Sequence, residues 1–187
     1  MNGLIAVPPQ ASLFNFMTNI EQVLINDEIL VRLLTYYPEG YDRETKTRYL
    51  NPMSDKLPNL VDKDSDEYWD LVTDRIRKGE KRIKIEEDAK CYIYMHEGRD
   101  RSVWGSNCVI DQEVIFSIYI HEKFESDWRM SQIKDRISHL LVFEIGLAGY
   151  GKMQYVGGDP RDATTGYRRI DYRYMFKTAK KRLGYES

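Results

Sequence analysis

Residues 107–121 read NCVIDQEVIFSIYIH, and apolar and polar side chains alternate in the second half of this segment. Apolar side chains occupy every second position on one face: Val114, Phe116, Ile118 and Ile120. The opposite face carries Ile115, Ser117, Tyr119 and His121. A period of two is typical of a β-strand with one face on a core. The stretch therefore predicts a long strand in a sheet that is covered on one side.

The residues before this strand predict its partner. Residues 91–96 read CYIYMH and alternate in the same way, and Gly98 and Gly105 bracket a polar turn. Two alternating runs that are joined by a glycine-containing segment are typical of a β-hairpin. We therefore expect these two strands to pair antiparallel.

The residues after the strand predict a helix and two further strands. Ser126 and Asp127 can cap a helix from Trp128 to about Glu144. Its apolar positions recur at helical spacing and would cover the sheet: Ile133, Ile137, Leu140 and Leu141. A strand at 152–156, a loop at 157–166 and a last strand at 168–177 are expected next. One face of the last strand collects Ile170, Tyr172, Tyr174 and Phe176.

The N-terminal third predicts helices. Residues 12–37 have a helical pattern that breaks at 26–28, where Asn26 can cap a second helix. Residues 38–63 contain prolines and glycine and predict a long loop. Asp64 to Glu67 then favour the start of a third helix, whose apolar stripe is formed by Trp69, Val72 and Ile76.

This order predicts an α+β fold. A mostly antiparallel sheet in β-β-α-β-β order would pack against a helix and follow the N-terminal helices. We expect a single domain over residues 1–187, with 1–11 as an extended arm and 38–63 as the long loop.

The composition is that of a folded globular chain. The 187 residues are 42% hydrophobic and 31% charged, and the net charge of −2 gives no global attraction to nucleic acid or acidic membranes. The 14 tyrosines, against 6 phenylalanines, favour either a half-exposed sheet or a binding surface. With no export signal or membrane span in the pattern, Cys91 and Cys108 are expected to be reduced thiols.

A search for catalytic and metal motifs predicts no enzyme and no cofactor. The sequence has no HExxH, CxxC or GxSxG, and the glycines at 146–151 follow a helix instead of opening one. His96 and His121 lie near the ends of the two paired strands, so pairing could bring them together. A metal-dependent nuclease remains an alternative, with Asp88 and Lys90 in an Asp-x-Lys pattern and Asp70 or Asp74 upstream.

Basic residues are concentrated near the C-terminus among tyrosines: Arg161, Arg168, Arg169, Arg173, Lys177, Lys180, Lys181 and Arg182. This segment could bind nucleic acid or an acidic protein surface. It could equally be a solvated edge strand whose charges prevent aggregation. We take Arg161, Arg168, Arg169, Arg173, Lys177, Tyr172 and Tyr174 as candidate interface or channel-facing residues.

The chain resembles the tail-terminator, tail-completion and neck proteins of long-tailed bacteriophages. The resemblance is in architecture over most of residues 12–177. Its features are the broken N-terminal helix, the strand that ends at Ile118–His121, the segment Glu125–Asp127 before the next helix, and the aromatic last strand.

The resemblance implies a structural virion protein that is assembled in the host cytoplasm. Such subunits form a homo-oligomeric ring, commonly a hexamer, that terminates the tail tube and joins it to the head connector. The implied partners are the tail tube protein, a head-completion or connector protein, and DNA that passes through the channel without sequence recognition; no membrane is implied. If the chain forms such a ring, we expect Pro8, Pro9 and residues 38–63 to become ordered only on assembly.

Overall fold

The computed structural model describes residues 13–79, 89–104, 109–144 and 152–179. The α-helices in these ranges are α1 (Leu13–Ile25), α2 (Glu28–Thr35), α3 (Asp66–Arg75) and α4 (Arg129–Ser138). The strands are β1 (Gly40–Asp42), β2 (Thr47–Tyr49), β3 (Ile76–Lys78), β4 (Cys91–Ser102), β5 (Val109–His121), β6 (Gln154–Arg161) and β7 (Tyr167–Ala179). A 3₁₀ segment, Glu122–Asp127, precedes α4, and a π-helical segment, His139–Glu144, follows it.

The main sheet has the strand order β3-β4-β5-β7-β6. Three of its neighbouring pairs are antiparallel, and only β3 runs parallel to its neighbour β4. This confirms the predicted α+β class and its mostly antiparallel sheet. The predicted arm at 1–11 lies outside the described residues.

The alternation in β5 places its apolar face in the core. Val114, Phe116, Ile118 and Ile120 are fully buried, and Ile118 lies opposite Ile93 of β4 and Ile170 of β7. The same core cluster includes residues of all four helices, so these helices cover one face of the sheet. The opposite face, called the open face hereafter, carries the separate cluster of Tyr92, Tyr94 and Tyr119. No helix in the described ranges has the length and apolar character needed to cross a membrane.

The predicted break between the first two helices is present, with one difference. Asp27, and not Asn26, is the N-cap of α2, because its Oδ1 accepts a hydrogen bond from the backbone N–H of Leu30 at 2.8 Å. The same carboxylate binds the guanidinium of Arg136 on α4, with N–O distances of 2.9 and 2.6 Å. Asp27 therefore fixes both the start of α2 and its position against α4.

Helix α4, which packs on the sheet, begins one residue later than predicted, and its regular α-helical part ends earlier than predicted. Trp128 has a left-handed backbone (φ 60°, ψ 34°) between the 3₁₀ segment and α4. Regular α-helix ends at Ser138, and the predicted extension to about Glu144 is π-helical.

The buried residues of α3 also differ from the apolar stripe that was predicted for it. Tyr68 is buried and donates its hydroxyl to the carbonyl of Ile25 at 2.7 Å, whereas Trp69 is exposed. Ile76 is buried as predicted, but it belongs to β3, where pairing with β4 replaces the helix.

The last strand is not an edge strand. The predicted strand at 152–156 extends through the first half of the predicted loop, as far as Arg161, so β6 covers the outer side of β7. The edge strand on this side of the sheet is therefore β6, which has a bulge between Tyr155 and Gly157 and carries Pro160. A bulge and a proline both protect an edge against pairing with another strand.

Residues 38–63 are not a structureless loop. Strands β1 and β2 pair as a short hairpin. Beyond it, the Arg32 guanidinium donates hydrogen bonds of 3.0 to 3.2 Å to four backbone carbonyls, those of Pro52, Ser54, Leu57 and Pro58. Glu28 pairs with Arg32 and accepts the backbone N–H groups of Leu60 and Val61. These contacts all lie within one chain and hold residues 52–61 against α2.

A buried arginine joins the helices to one another. Arg129, the first residue of α4, has no exposed surface. Its Nη1 donates to the carbonyls of Leu33 and Tyr36 at the end of α2, and its Nη2 binds the Asp127 carboxylate at 2.7 Å. The last carbonyls of a helix have no partner within that helix, so Arg129 supplies the missing donors.

We expect Arg129→Met to lower the free energy of unfolding by about 3 kcal/mol, the lower end of the range for breaking a buried ion pair. The substitution keeps a long side chain but leaves two carbonyls and a carboxylate without their donor. Urea denaturation provides the measurement, and the exposed Arg48→Met is the matched control. Equal midpoints for the two variants would contradict the assigned role.

We expect Arg32→Ala to release residues 52–61 from α2. Hydrogen bonds to a charged group contribute about 1.5–3 kcal/mol each, so amide exchange in this segment should accelerate by about tenfold or more. Hydrogen exchange with mass spectrometry measures the change, and Arg43→Ala in the exposed turn after β1 should leave exchange unaltered. Unchanged protection of 52–61 in the Arg32 variant would refute the tether.

Candidate functional site

The five candidate basic residues lie on β6 and β7, and each has an acidic partner. The nitrogen–oxygen distances are 3.4 Å for Arg161–Asp171, 3.8 Å for Arg168–Glu125, 2.7 Å for Arg169–Asp171, 3.2 Å for Arg173–Asp159 and 3.3 Å for Lys177–Asp111. Phosphate binding depends on positive charge that is available to the ligand. The pairing therefore disfavours the strand as a nucleic-acid site; Lys180, Lys181 and Arg182 lie outside the described residues.

The centre of this open face is the pair Arg169–Asp171. Asp171 is only 7% exposed and is bound by both Nε and Nη2 of Arg169, at 2.7 and 3.0 Å. The Arg169 guanidinium also donates to Ser117 Oγ at 3.2 Å and lies over the Tyr119 ring, 5.2 Å from its centroid. Arg169 and Asp171 are therefore part of a packed ion-pair network on this face of the sheet.

The surroundings of Asp171 favour its charged form. Burial acts to raise the pKa of this carboxyl, but the hydrogen bonds from Arg169 and Ser117 and the charges of Arg169 and Arg161 outweigh burial and lower it. A lowered pKa in the folded state means that ionised Asp171 stabilises the fold above its unfolded pKa. That contribution is lost as pH falls through the folded pKa.

Tyrosines fill the β4 side of the open face. Tyr92, Tyr94 and Tyr119 form a buried cluster against which Tyr167 packs. Arg77 lies over the rings of Tyr92 and Tyr94, at 5.2 and 5.8 Å, and donates to the Tyr94 hydroxyl at 3.1 Å. Much of the tyrosine excess is therefore used within the sheet, as the half-exposed-sheet interpretation predicted.

Tyr172 and Tyr174 face the core, which corrects their assignment as interface or channel-facing residues. Tyr174 is fully buried, and its hydroxyl lies 2.7 Å from Ser138 Oγ on α4. Tyr172 is 9% exposed and belongs to the same core cluster. Side chains alternate across a strand, so a strand that turns Arg169 and Arg173 toward the open face must turn these tyrosines inward.

The two strand histidines are not brought together. His96 lies opposite Ile115, and its Nε2 is 3.2 Å from Ser117 Oγ. His121 lies at the far end of β5, where its ring contacts Tyr167 edge-on. In the described ranges, no three His, Cys, Asp or Glu side chains are grouped so that they could hold a metal ion.

Part of the nuclease pattern is close in space, but its charge is unsuitable. The Lys90 ammonium is 3.3 Å from the Asp74 carboxylate, which Arg77 also binds at 2.6 Å. Burial would raise the pKa of Asp74, but these cationic partners outweigh burial and lower it. A carboxylate that is already neutralised by two cations is a poor ligand for Mg²⁺; Asp88 lies outside the described residues.

A different feature of the surface escaped the sequence interpretation. The chain has three tryptophans, and all of them are exposed: Trp69 by 40%, Trp104 by 99% and Trp128 by 80%. Aromatic side chains are enriched in protein interfaces and dominate their binding energy. One signal was available, because Trp104 lies between Gly98 and Gly105 in a predicted turn, where no core position is expected.

The described surface also has two grooves. The larger, of about 800 Å³, runs between α1, α3 and β3 and is the α1–α3 groove hereafter; among its lining residues are Ile25, Trp69, Val72, Ile76 and Tyr94. The smaller, of about 470 Å³, separates the β1–β2 hairpin from the 3₁₀ segment. The described surface thus combines paired charges, exposed tryptophans and grooves.

The sequence model of the YomW family matches residues 27–178. The match runs from the N-cap of α2 almost to the end of β7, and the chain belongs to this family, which is phage-associated. No curated protein matches the sequence. Among solved structures, the chain is similar to one from the virion of a native gene transfer agent particle, at 11% identity and a TM-score of 0.47. The similarity covers 87% of this chain and 93% of the other.

We expect Asp171→Asn to lower the free energy of unfolding at pH 7 by about 2 kcal/mol, within the range for hydrogen bonds to charged groups. The difference from the wild type should shrink as pH falls through the folded pKa of Asp171, because protonation removes the same charge. Denaturation at a series of pH values measures this, with the exposed Asp162→Asn as control. A difference that is independent of pH would contradict the ion-pair role.

Proposed function

We propose that this protein is a structural protein of a tailed-phage virion that acts at the head–tail junction. Copies of the chain form a ring, commonly a hexamer in the proteins it resembles, which terminates the tail tube and joins it to the head connector. Membership of the phage-associated YomW family over residues 27–178 is the observation that carries the proposal. The finer role rests on the architectural resemblance to tail-terminator and neck proteins.

Two properties of the surface support a structural role. The exposed tryptophans provide apolar area at three separate places in the chain, as a subunit with several neighbours requires. The paired charges of the open face suit a component of a channel through which DNA moves. Rows of unpaired arginines would instead bind phosphates and retard the DNA.

We propose no catalytic step for this chain. The only part of the nuclease pattern that lies together in the described ranges, Asp74 with Lys90, forms an ion-pair cluster with Arg77. The proposed partners are the tail tube protein, the head-completion or connector protein, and DNA in transit.

The proposal predicts the position of the chain in the phage particle. Purified virions that carry an epitope-tagged copy should bind gold-labelled antibody at the head–tail junction. A tagged tail tube protein, labelled along the tail, is the control. Label at another position, or none in particles that contain the tagged chain, would overturn the proposal.

Disruption of the gene gives an independent readout. Lysates should contain filled heads and unattached tails, and a plasmid copy of the gene should restore joined particles. Normal joined particles in the absence of the chain would contradict a role at the junction.

A further inference from the structure

His121 ends β5 and is the N-cap of the 3₁₀ segment Glu122–Asp127. Its Nδ1 accepts a hydrogen bond from the backbone N–H of Lys123 at 3.2 Å. A ring nitrogen accepts a hydrogen bond only when it carries no proton, so this contact requires a neutral imidazole with its proton on Nε2. In the imidazolium both ring nitrogens are donors, and His121 can then no longer cap the segment.

The imidazole of His121 is partly buried by the turn before β7. The Tyr167 ring contacts it edge-on, with the ring centroids 5.0 Å apart. Gly166 has a positive φ of 84°, and a Cβ at this position would lie only 3.4 Å from Nε2. The carbonyl of Gly166 also accepts the N–H of Glu122 at 2.9 Å. The same turn therefore holds both the ring and the first residue of the 3₁₀ segment.

The surroundings of the ring favour its neutral form. Burial has the largest effect and lowers the pKa of His121, while the charge of Glu122 raises it and the charge of Lys123 lowers it. Two other titratable residues adjoin this end of β5, Tyr167 on β7 and Lys90 just before β4. The carbonyl of Lys90 accepts the His121 N–H at 3.3 Å, and the Lys90 N–H donates to the Tyr167 hydroxyl at 3.3 Å. Neither residue offers a negative charge that would stabilise an imidazolium.

The 3₁₀ segment is anchored independently from Phe124 onward. Phe124 is buried in the core, and Asp127 binds the buried guanidinium of Arg129. Before Phe124, the N–H of Lys123 is bonded to His121. Loss of the cap should therefore loosen the first turn and leave the rest of the segment in place.

We propose that His121 is a pH-sensitive cap, which holds the first turn of the 3₁₀ segment when its imidazole is neutral and releases that turn when its imidazole is protonated. In the released turn the ring is solvated, and its pKa returns toward the ordinary value of about 6.5. The neutral ring thus stabilises the capped turn above about pH 6.5, and this contribution is lost as pH falls through the lower pKa of the capped state. Mild acid therefore changes the surface beside the smaller groove, which Lys123 lines. The inference does not rest on the proposed ring.

Nuclear magnetic resonance of the full chain follows the cap directly. In a titration from about pH 7.5 to about pH 5, we expect the pKa of His121 to lie below about 6.5 and the Lys123 amide shift to follow with the same midpoint. Exchange of the Lys123 amide with solvent, corrected for the intrinsic effect of pH, should accelerate by about fivefold at the acidic end, as for the loss of a typical N-cap. The amides of α4 should keep their protection.

Two substitutions separate the cap from its titration. His121→Asn keeps an acceptor, because asparagine is a preferred N-cap residue, but it gains no proton in this pH range. Its Lys123 amide should stay protected at both ends of the range, whereas His121→Ala, which has no acceptor, should exchange fast at both. His96→Asn, which removes the histidine of β4, is the matched control and should behave like the wild type. Thermal unfolding verifies that all three variants are folded.

Three results would overturn the inference. The first is a Lys123 amide whose shift does not follow the His121 titration. The second is protection of this amide in the wild type that does not change with pH, and the third is equal pH dependence in His121→Asn and the wild type. Loss of the pH dependence in His96→Asn would also contradict it, since the response would then belong to the other ring.

Discussion

The described structure depends on one buried charge, the guanidinium of Arg129. Its donors go to the carbonyls of Leu33 and Tyr36 and to the Asp127 carboxylate, so one side chain fixes the end of α2 and the start of α4. Without these partners a fully buried guanidinium would be prohibitively unstable. The residue before it, Trp128, has a left-handed backbone, and at this turn an exposed indole is followed directly by the buried guanidinium.

The parts of the fold that follow from local periodicity could be predicted. The two faces of β5, the hairpin with β4 and the inward face of β7 all come from alternation, which depends only on neighbouring residues. Short β3 could not be predicted, since a three-residue parallel strand exists through its partner β4. Nor could the extent of β6, because glycine and proline at 157–160 are typical of a loop and are tolerated only on an edge strand.

The candidate site was harder to predict, for a physical reason. Whether Arg173 is a free cation depends on which residues of β5 and β6 lie opposite it, and that register is not encoded in β7 alone. The structure places Glu113 and Asp159 near it, at 3.8 and 3.2 Å. Tyr172 and Tyr174 are a different case. Their alternation with Arg169 and Arg173 already required them to face inward, so sequence alone could have removed them from the candidate interface.

The side chains that stabilise the fold differ in type from the apolar side chains that remain exposed. Charged residues on the open face satisfy one another across strands, and the described core is filled by leucine, isoleucine, phenylalanine and tyrosine. The largest apolar side chain, tryptophan, is absent from that core and occurs only on the surface. A monomer gains no stability from this arrangement, since burial of an indole would contribute more than its exposure. An assembling subunit gains from it, because apolar area withheld from the core becomes available to its neighbours.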